Sequence, residues 1–168
     1  MIMSHAVSFY LIDIEKIRNI IDEKDLSILK KMKIDGEDRR YIKTLLVGDA
    51  PACDDELFEY GYALEKIVRR LYGKNESVPE FEDLRFGEFD DPPLDWIIQS
   101  SSPVTLPPNK DFPYIGHRFC SEMRQTLDAW DDDMFDNFEP EIQKMIEGMF
   151  SVFQTAIEKK KDLITFYY

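Results

Sequence analysis

The stretch DFPYIGHRFC contains the pair of side chains with the clearest potential for chemistry in this sequence. His117 and Cys120 stand three residues apart. A thiol becomes a nucleophile when a neighbouring imidazole takes up its proton and a third group orients that imidazole. However, Pro113 and Gly116 come just before the pair, and both residue types favour a turn. We therefore predict a loop-to-helix corner with a half-buried histidine and a core cysteine, and no catalytic residue.

Metal and phosphate sites lack their usual patterns in this sequence. A structural zinc site takes four nitrogen or sulfur ligands in closely spaced pairs. The histidines and cysteines stand at positions 5, 53, 117 and 120, with one close pair. The Asp-rich residues 128–139 lack the glycine and the alternating oxygen ligands of an EF-hand. The seven glycines are scattered and form no phosphate-binding loop. We predict no metal and no cofactor.

The carboxylates gather in two segments that also carry aromatic residues. The first acidic cluster, EFEDLRFGEFDDPPLDW (residues 80–96), contains one base, and the second, DAWDDDMFDNFEPE (residues 128–141), contains none. The simplest interpretation is that the aromatic rings lie in the core and the acids on the solvated side. The functional interpretation is a surface for a basic protein, with aromatic anchors inside a charged rim. The candidate contacts are Asp90, Asp91, Asp95 and Trp96 in the first cluster, and Trp130, Asp131, Asp132, Asp133 and Asp136 in the second.

An enzyme or a small-molecule-binding protein is the alternative hypothesis. Its pocket would lie near the loop 106–120 and would use Tyr62, Asp111, Tyr114 and His117. A concave cavity converging on His117 would favour this hypothesis, whereas a flat carboxylate-rich surface would favour protein binding. Paired carboxylates also catalyse hydrolysis in other proteins, but a chain with 34 acids produces such pairs by chance. Protein binding is therefore the preferred hypothesis.

The overall charge narrows the classes of partner. The chain has 34 acidic and 21 basic residues, a formal charge of −13. Such a charge repels nucleic-acid phosphates and anionic membranes, so we predict neither as a partner. The N-terminus lacks a basic leader, and no apolar run approaches the roughly 20 residues of a membrane span. The two cysteines are too few for a disulfide framework. We predict a cytoplasmic protein and leave its oligomeric state open.

The elements that position these residues can be predicted from periodicity. The segments 6–14 and 163–168 are rich in β-branched and aromatic residues, and an apolar C-terminal strand needs a partner. We therefore expect both terminal strands in one small sheet, with neighbouring positions as the simplest arrangement. Apolar residues between them recur at helical spacing in segments that begin near Ile14, Leu26, Tyr41, Leu57 and Pro140.

The middle of the chain has a different composition. Seven of the nine prolines lie between Gly73 and Gly116. Proline interrupts both helices and strand ladders, so we predict an irregular segment at about 73–118. A chain of 168 residues has the size of a single domain. The prediction is one helix-rich α+β domain over residues 1–168, with a small sheet containing both terminal strands.

Several short motifs together resemble a known family. They are YGYAL at residues 60–64, LPPNKDFPYIG at residues 106–116 and FYY at residues 166–168, together with FYLIDI near the N-terminus. These resemble an uncharacterised bacterial family of small single-domain proteins, a domain of unknown function. The resemblance implies the extent of the domain and brings no reaction or catalytic residues. The size and acidity of the chain are also similar to those of immunity proteins in bacterial toxin systems, which implies a neutralising role by analogy.

Overall fold

A computed structural model describes residues 7–34, 36–47, 59–73, 102–106 and 113–167. The strands in this part of the chain are β1 (Val7–Ile12), β2 (Tyr114–Arg118) and β3 (Asp162–Tyr167). The α-helices in it are α1 (Ile14–Asp22), α2 (Ser27–Met32), α3 (Gly36–Val47), α4 (Glu59–Tyr72), α5 (Cys120–Ala129) and α6 (Pro140–Glu158). A 3-10 helix, Asp132–Asn137, lies between α5 and α6.

The three strands form one antiparallel sheet in the order β1-β3-β2. The two terminal strands pair along their whole length, with Val7 opposite Tyr167 and Ile12 opposite Asp162. This confirms the predicted α+β fold and the predicted sheet with both terminal strands. The C-terminal strand occupies the centre of the sheet, so both of its edges are paired.

The prediction of a loop-to-helix corner before Cys120 was wrong in one respect. Residues 114–118 form an edge strand, and Gly116 lies inside it opposite Thr165 rather than in a turn. Pro113 directly precedes this strand, which is a position where proline removes no ladder hydrogen bond. The partner strand β3, and not the local composition, therefore determines the conformation of these residues.

Side chains alternate across the sheet and form two cores. Tyr10, Ile12, Ile164 and Phe166 join a first core with residues of α1, α2, α3 and α4. Val7, Phe9, Leu11 and Leu163 join a second core with residues of α5 and α6. Helices thus cover both faces of the sheet, which explains why β1 and β3 are nearly continuous apolar runs.

Local signals place several helix ends. The Asp13 carboxylate accepts from the Lys16 N–H at 3.0 Å and caps α1. Helix α6 begins at Pro140, as predicted, because proline suits the first helical turn. Helix α4 ends at Tyr72, directly before Gly73, whose φ of 71° lies in the left-handed region that glycine adopts without strain.

A single carboxylate joins the two helical layers. One oxygen of Asp162 accepts from the Ile14 N–H at 3.1 Å, and the other accepts from the Cys120 N–H at 2.9 Å. Ile14 and Cys120 are the first residues of α1 and α5, where backbone N–H groups have no partner within their own helix. Asp162 therefore caps one helix on each face of the sheet while it begins the central strand.

Candidate functional site

Part of the predicted interface lies outside the described residues. This applies to the first acidic cluster with Asp90, Asp91, Asp95 and Trp96, and to Asp111 of the alternative pocket. The second acidic cluster is described apart from the side chains of Met134 and Glu141.

The carboxylates of the second acidic cluster project into solvent from the 3-10 helix and its flanks. Asp131, Asp132, Asp133 and Asp136 are all exposed, as is Asp128 at the end of α5. Asp131 also has a structural role, because its carboxylate accepts from the Asp133 N–H at 3.1 Å and caps the 3-10 helix. Among the described residues, none of these five carboxylates forms an ion pair. Their negative charge is therefore not neutralised by the described bases.

The aromatic rings of the same cluster pack together with Phe150 of α6 beneath these carboxylates. The Trp130 ring lies edge-on to Phe135 at 5.1 Å and to Phe150 at 4.8 Å, and stacks on Phe138 at 6.5 Å between centroids. All four rings pack against the second core, and all four are only half-buried. The simplest interpretation of the sequence, core rings and solvated acids, describes this arrangement, but the half-exposed rings also leave apolar surface beside the charges.

An amide from α6 holds the 3-10 helix in place. The Gln143 side chain donates to the carbonyl oxygen of Phe135 at 2.7 Å and to that of Phe138 at 2.8 Å. The Phe138 carbonyl lies just beyond the 3-10 helix, where no further turn satisfies it, and the Phe135 carbonyl also accepts from the Phe138 N–H at 3.0 Å. Ring packing and this double hydrogen bond therefore fix the turn that carries the carboxylates. Sequence reasoning missed Gln143, since a glutamine early in a helix carries no distinctive pattern.

The residues of the alternative pocket lie on α4 and β2. Tyr62 is half-buried on α4, Tyr114 is 52% exposed, and His117 is 8% exposed. The two elements meet beside these residues, because a Cβ atom added at Gly61 would stand 2.8 Å from Cγ of Pro113. Tyr62 directly follows Gly61 in the sequence, and Tyr114 directly follows Pro113, so each tyrosine is next to one residue of the contact between α4 and β2.

His117 and Cys120 belong to different sides of the sheet. The His117 ring lies edge-on to Phe119 with centroids 5.4 Å apart, and Phe119 packs against the first core. Cys120 packs against the second core, and its backbone N–H donates to Asp162. The imidazole and the thiol therefore do not face one another as a nucleophilic pair requires.

A tyrosine–glutamate pair connects β1 with α4. The hydroxyl of Tyr10 donates to Oε1 of Glu65 at 2.7 Å. Burial raises the pKa of Tyr10 well above its usual range, and the hydrogen bond to Glu65 adds to this effect. Burial also raises the pKa of Glu65, while the hydrogen bond from Tyr10 and the charges of Arg69 and Lys66 partly offset the rise. Sequence reasoning missed this pair because Glu65 is one of 34 acids and Tyr10 lies 55 residues away.

A basic cleft lies along the C-terminal half of α4. It has a volume of about 630 Å³ and is formed by the α2–α3 connection, the start of α3 and the C-terminal half of α4. The lining residues are Lys33, Ile34, Asp38, Lys66, Arg69, Arg70 and Gly73. Lys66 forms an ion pair with Asp38 across the cleft, and Ile34 is buried in the first core. No sequence signal pointed to this cleft.

The described ranges contain no group of three or more His, Cys, Asp or Glu side chains arranged to hold a metal ion. Within the same ranges, no helix combines the length and the apolar character needed to cross a bilayer.

Comparison with known proteins identifies the family and no more. A family model for a domain of unknown function, DUF7691, matches residues 3–168. No curated protein and no solved structure is significantly similar to the chain. The resemblance to an uncharacterised single-domain family is thereby confirmed: the chain belongs to the DUF7691 family.

Proposed function

We propose that this protein is an acidic cytoplasmic protein-binding module that neutralises or regulates a basic protein, as an immunity protein does. The observation that carries the proposal is the second acidic cluster. Its exposed aspartates stand on a turn that Gln143 and four packed rings hold in place.

Apart from Asp131, which caps the 3-10 helix, the exposed aspartates of this cluster have no structural partner among the described residues. The carboxylates of Asp132, Asp133 and Asp136 form no ion pair with any described base and accept no described hydrogen bond, since Asp133 takes part in the cap of the 3-10 helix only through its backbone N–H. Neighbouring like charges in water repel one another by about 0.5 kcal/mol per close pair, before screening by salt. A basic partner would remove this repulsion on binding, and the negative field would accelerate its approach.

The rigidity of the turn is the second support for the proposal. A loop that must be ordered on binding lowers affinity by the entropy that it loses, and a turn fixed in advance avoids this loss. The half-buried rings of Trp130 and Phe138 lie beside the charges and can add apolar contact, as aromatic anchors do in interfaces. The partner that fits this surface has Lys or Arg side chains around an apolar patch.

Charge reversal tests the proposal. The test variant carries Asp132→Lys, Asp133→Lys and Asp136→Lys, and leaves Asp131 in place because that carboxylate caps the 3-10 helix. The control variant carries Asp22→Lys, Glu23→Lys and Glu158→Lys, three exposed positions near helix ends, so that both variants have the same net charge. Both should fold as the wild type does, because exposed charges contribute little to stability.

The measurement is capture of proteins from the lysate of the source organism on immobilised wild type and both variants, at low and at raised salt. We expect a basic protein to bind the wild type and the control, to dissociate as salt rises, and to bind the test variant at least about tenfold more weakly in a titration with the purified partner. Equal binding to the wild type and the test variant would exclude the second acidic cluster as the interface. Absence of any captured basic protein would contradict the proposed function itself.

A further inference from the structure

The basic cleft is lined mainly by positive charges, whereas the chain as a whole is negatively charged. Among the described residues that line it, four are cationic, Lys33, Lys66, Arg69 and Arg70, and one is acidic, Asp38. The whole chain has a formal charge of −13. Because cations are the minority in this sequence, their convergence on one concavity of about 630 Å³ requires a physical explanation.

Structural roles account for only part of this cluster. Lys66 is paired with Asp38, and the positive charge of Arg69 acts on the nearby Glu65 and Tyr10. Arg69 and Arg70 lie in the last turn of α4, where cations complement the negative end of the helix dipole. A dipole needs no concave site, however, and it explains neither the position of Lys33 nor the cavity between two helices. Lys33 and Arg70 are exposed and form no ion pair with a described carboxylate.

The geometry of the cleft suits an anion with more than one charge. Lys33 approaches from the end of α2, while Arg69 and Arg70 approach from α4, so the cations surround the cavity from two elements. Helix α3 begins at Gly36, between the lining residues Ile34 and Asp38, and brings the positive end of its dipole to the same wall. A single carboxylate would neutralise one cation only, whereas a phosphate group carries nearly two charges and accepts the forked hydrogen bonds of arginine.

We propose that the basic cleft binds a small organic phosphate, with Lys33 and Arg70 as its principal anion contacts and Arg69 and Lys66 as supporting charges. The volume of about 630 Å³ lies within the roughly 300–1,000 Å³ of typical ligand pockets, which leaves room for a molecule larger than a free phosphate ion. Ile34 is the apolar side chain among the described residues that line the cleft, and it marks where the organic part of such a molecule would lie.

The test uses pyrophosphate as the probe and two double variants. Lys33→Gln with Arg70→Gln removes the two principal contacts and leaves the ion pair of Lys66 and the environment of Glu65 intact. Arg39→Gln with Lys43→Gln removes two exposed cations of α3 that do not line the cleft, and so matches the change in net charge. Binding is followed by the backbone amide NMR shifts of the full-length protein, with sodium chloride at equal ionic strength as the salt control.

We expect saturable shifts at Ile34 and Gly73 with a dissociation constant of about 1 mM or lower for the wild type. The cleft variant should bind at least about tenfold more weakly, and the α3 variant within about twofold of the wild type. No saturable shift, or equal weakening in both variants, would overturn the proposal. Tighter binding of a single-stranded oligonucleotide than of pyrophosphate or adenosine triphosphate would overturn the assignment to a small molecule.

Discussion

Replacing Asp162 by alanine should destabilise this protein far more than its position at the end of a strand suggests. The carboxylate accepts from the Ile14 N–H at 3.1 Å and from the Cys120 N–H at 2.9 Å. Both bonds are partly buried, so the Asp162→Ala variant leaves two donors poorly satisfied at the start of two helices. Each lost cap costs about 1–2 kcal/mol, so the variant should lose about 2–4 kcal/mol of unfolding free energy.

A matched control separates this double role from ordinary capping. Asp13 caps α1 alone, through one exposed hydrogen bond to the Lys16 N–H at 3.0 Å, and Asp13→Ala should cost about 1 kcal/mol. Asp162→Asn retains one oxygen acceptor, loses the negative charge and should fall between the two alanine variants. Urea denaturation followed by far-ultraviolet circular dichroism measures all three. If Asp162→Ala costs no more than Asp13→Ala, the carboxylate does not hold the two helical layers together.

Two further substitutions probe contacts between distant segments. Gly61→Ala should lose about 1–3 kcal/mol despite the better helix propensity of alanine, because the new Cβ would stand 2.8 Å from Pro113 Cγ. Pro113→Ala in the same chain should recover part of this loss, and strict additivity in urea denaturation would refute the contact. Glu65→Gln tests the effect of burying this carboxyl group, since burial raises the pKa of Glu65. The contribution of Glu65 to stability is therefore present below the ordinary carboxyl pKa and is lost as the pH rises through the raised pKa. The free energy of unfolding of Glu65→Gln should therefore rise relative to that of the wild type as the pH increases above the ordinary carboxyl pKa, and a pH-independent difference would contradict this prediction.

Elements with a strong period of their own could be predicted from the sequence. The helices α1, α3, α4 and α6 each bury an apolar stripe at helical spacing, and the terminal strands combine β-branched and aromatic residues. Proline at the start of α6 and glycine at the end of α4 marked those boundaries through backbone chemistry alone. These signals are local, so a single sequence is enough to read them.

Features that depend on a distant partner could not be predicted. Strand β2 consists of five residues, YIGHR, whose composition does not favour a strand, and its conformation follows from pairing with β3. The hydrogen bond of Asp162 to Ile14 joins residues 148 positions apart. The basic cleft could not be predicted for a related reason, because Lys33 and the bases of α4 lie far apart in the sequence. The negative net charge of the chain also gives no indication of a local cluster of cations.

The motifs that carried the family resemblance meet in space. Gly61 of YGYAL is in close approach to Pro113 of LPPNKDFPYIG. The end of the latter motif continues into β2, where Ile115 stands opposite Phe166 of the terminal FYY. The first strand, which contains FYLI, pairs with the same β3. Four short motifs spread over more than 150 residues thus belong to one structural unit, in which α4 and β2 meet beside the central strand.

The acidic surface and the basic cleft lie on opposite faces of the sheet. The rings beneath the second acidic cluster pack against the second core, and Ile34 in the cleft belongs to the first core. A sheet with a helical layer on each face separates the two features by about 20 Å. This distance exceeds the Debye length of about 8 Å at physiological ionic strength, so the acidic cluster weakens anion binding in the cleft very little. One protein can therefore present carboxylates to a basic partner and cations to a phosphate at the same time, and either proposal can fail without affecting the other.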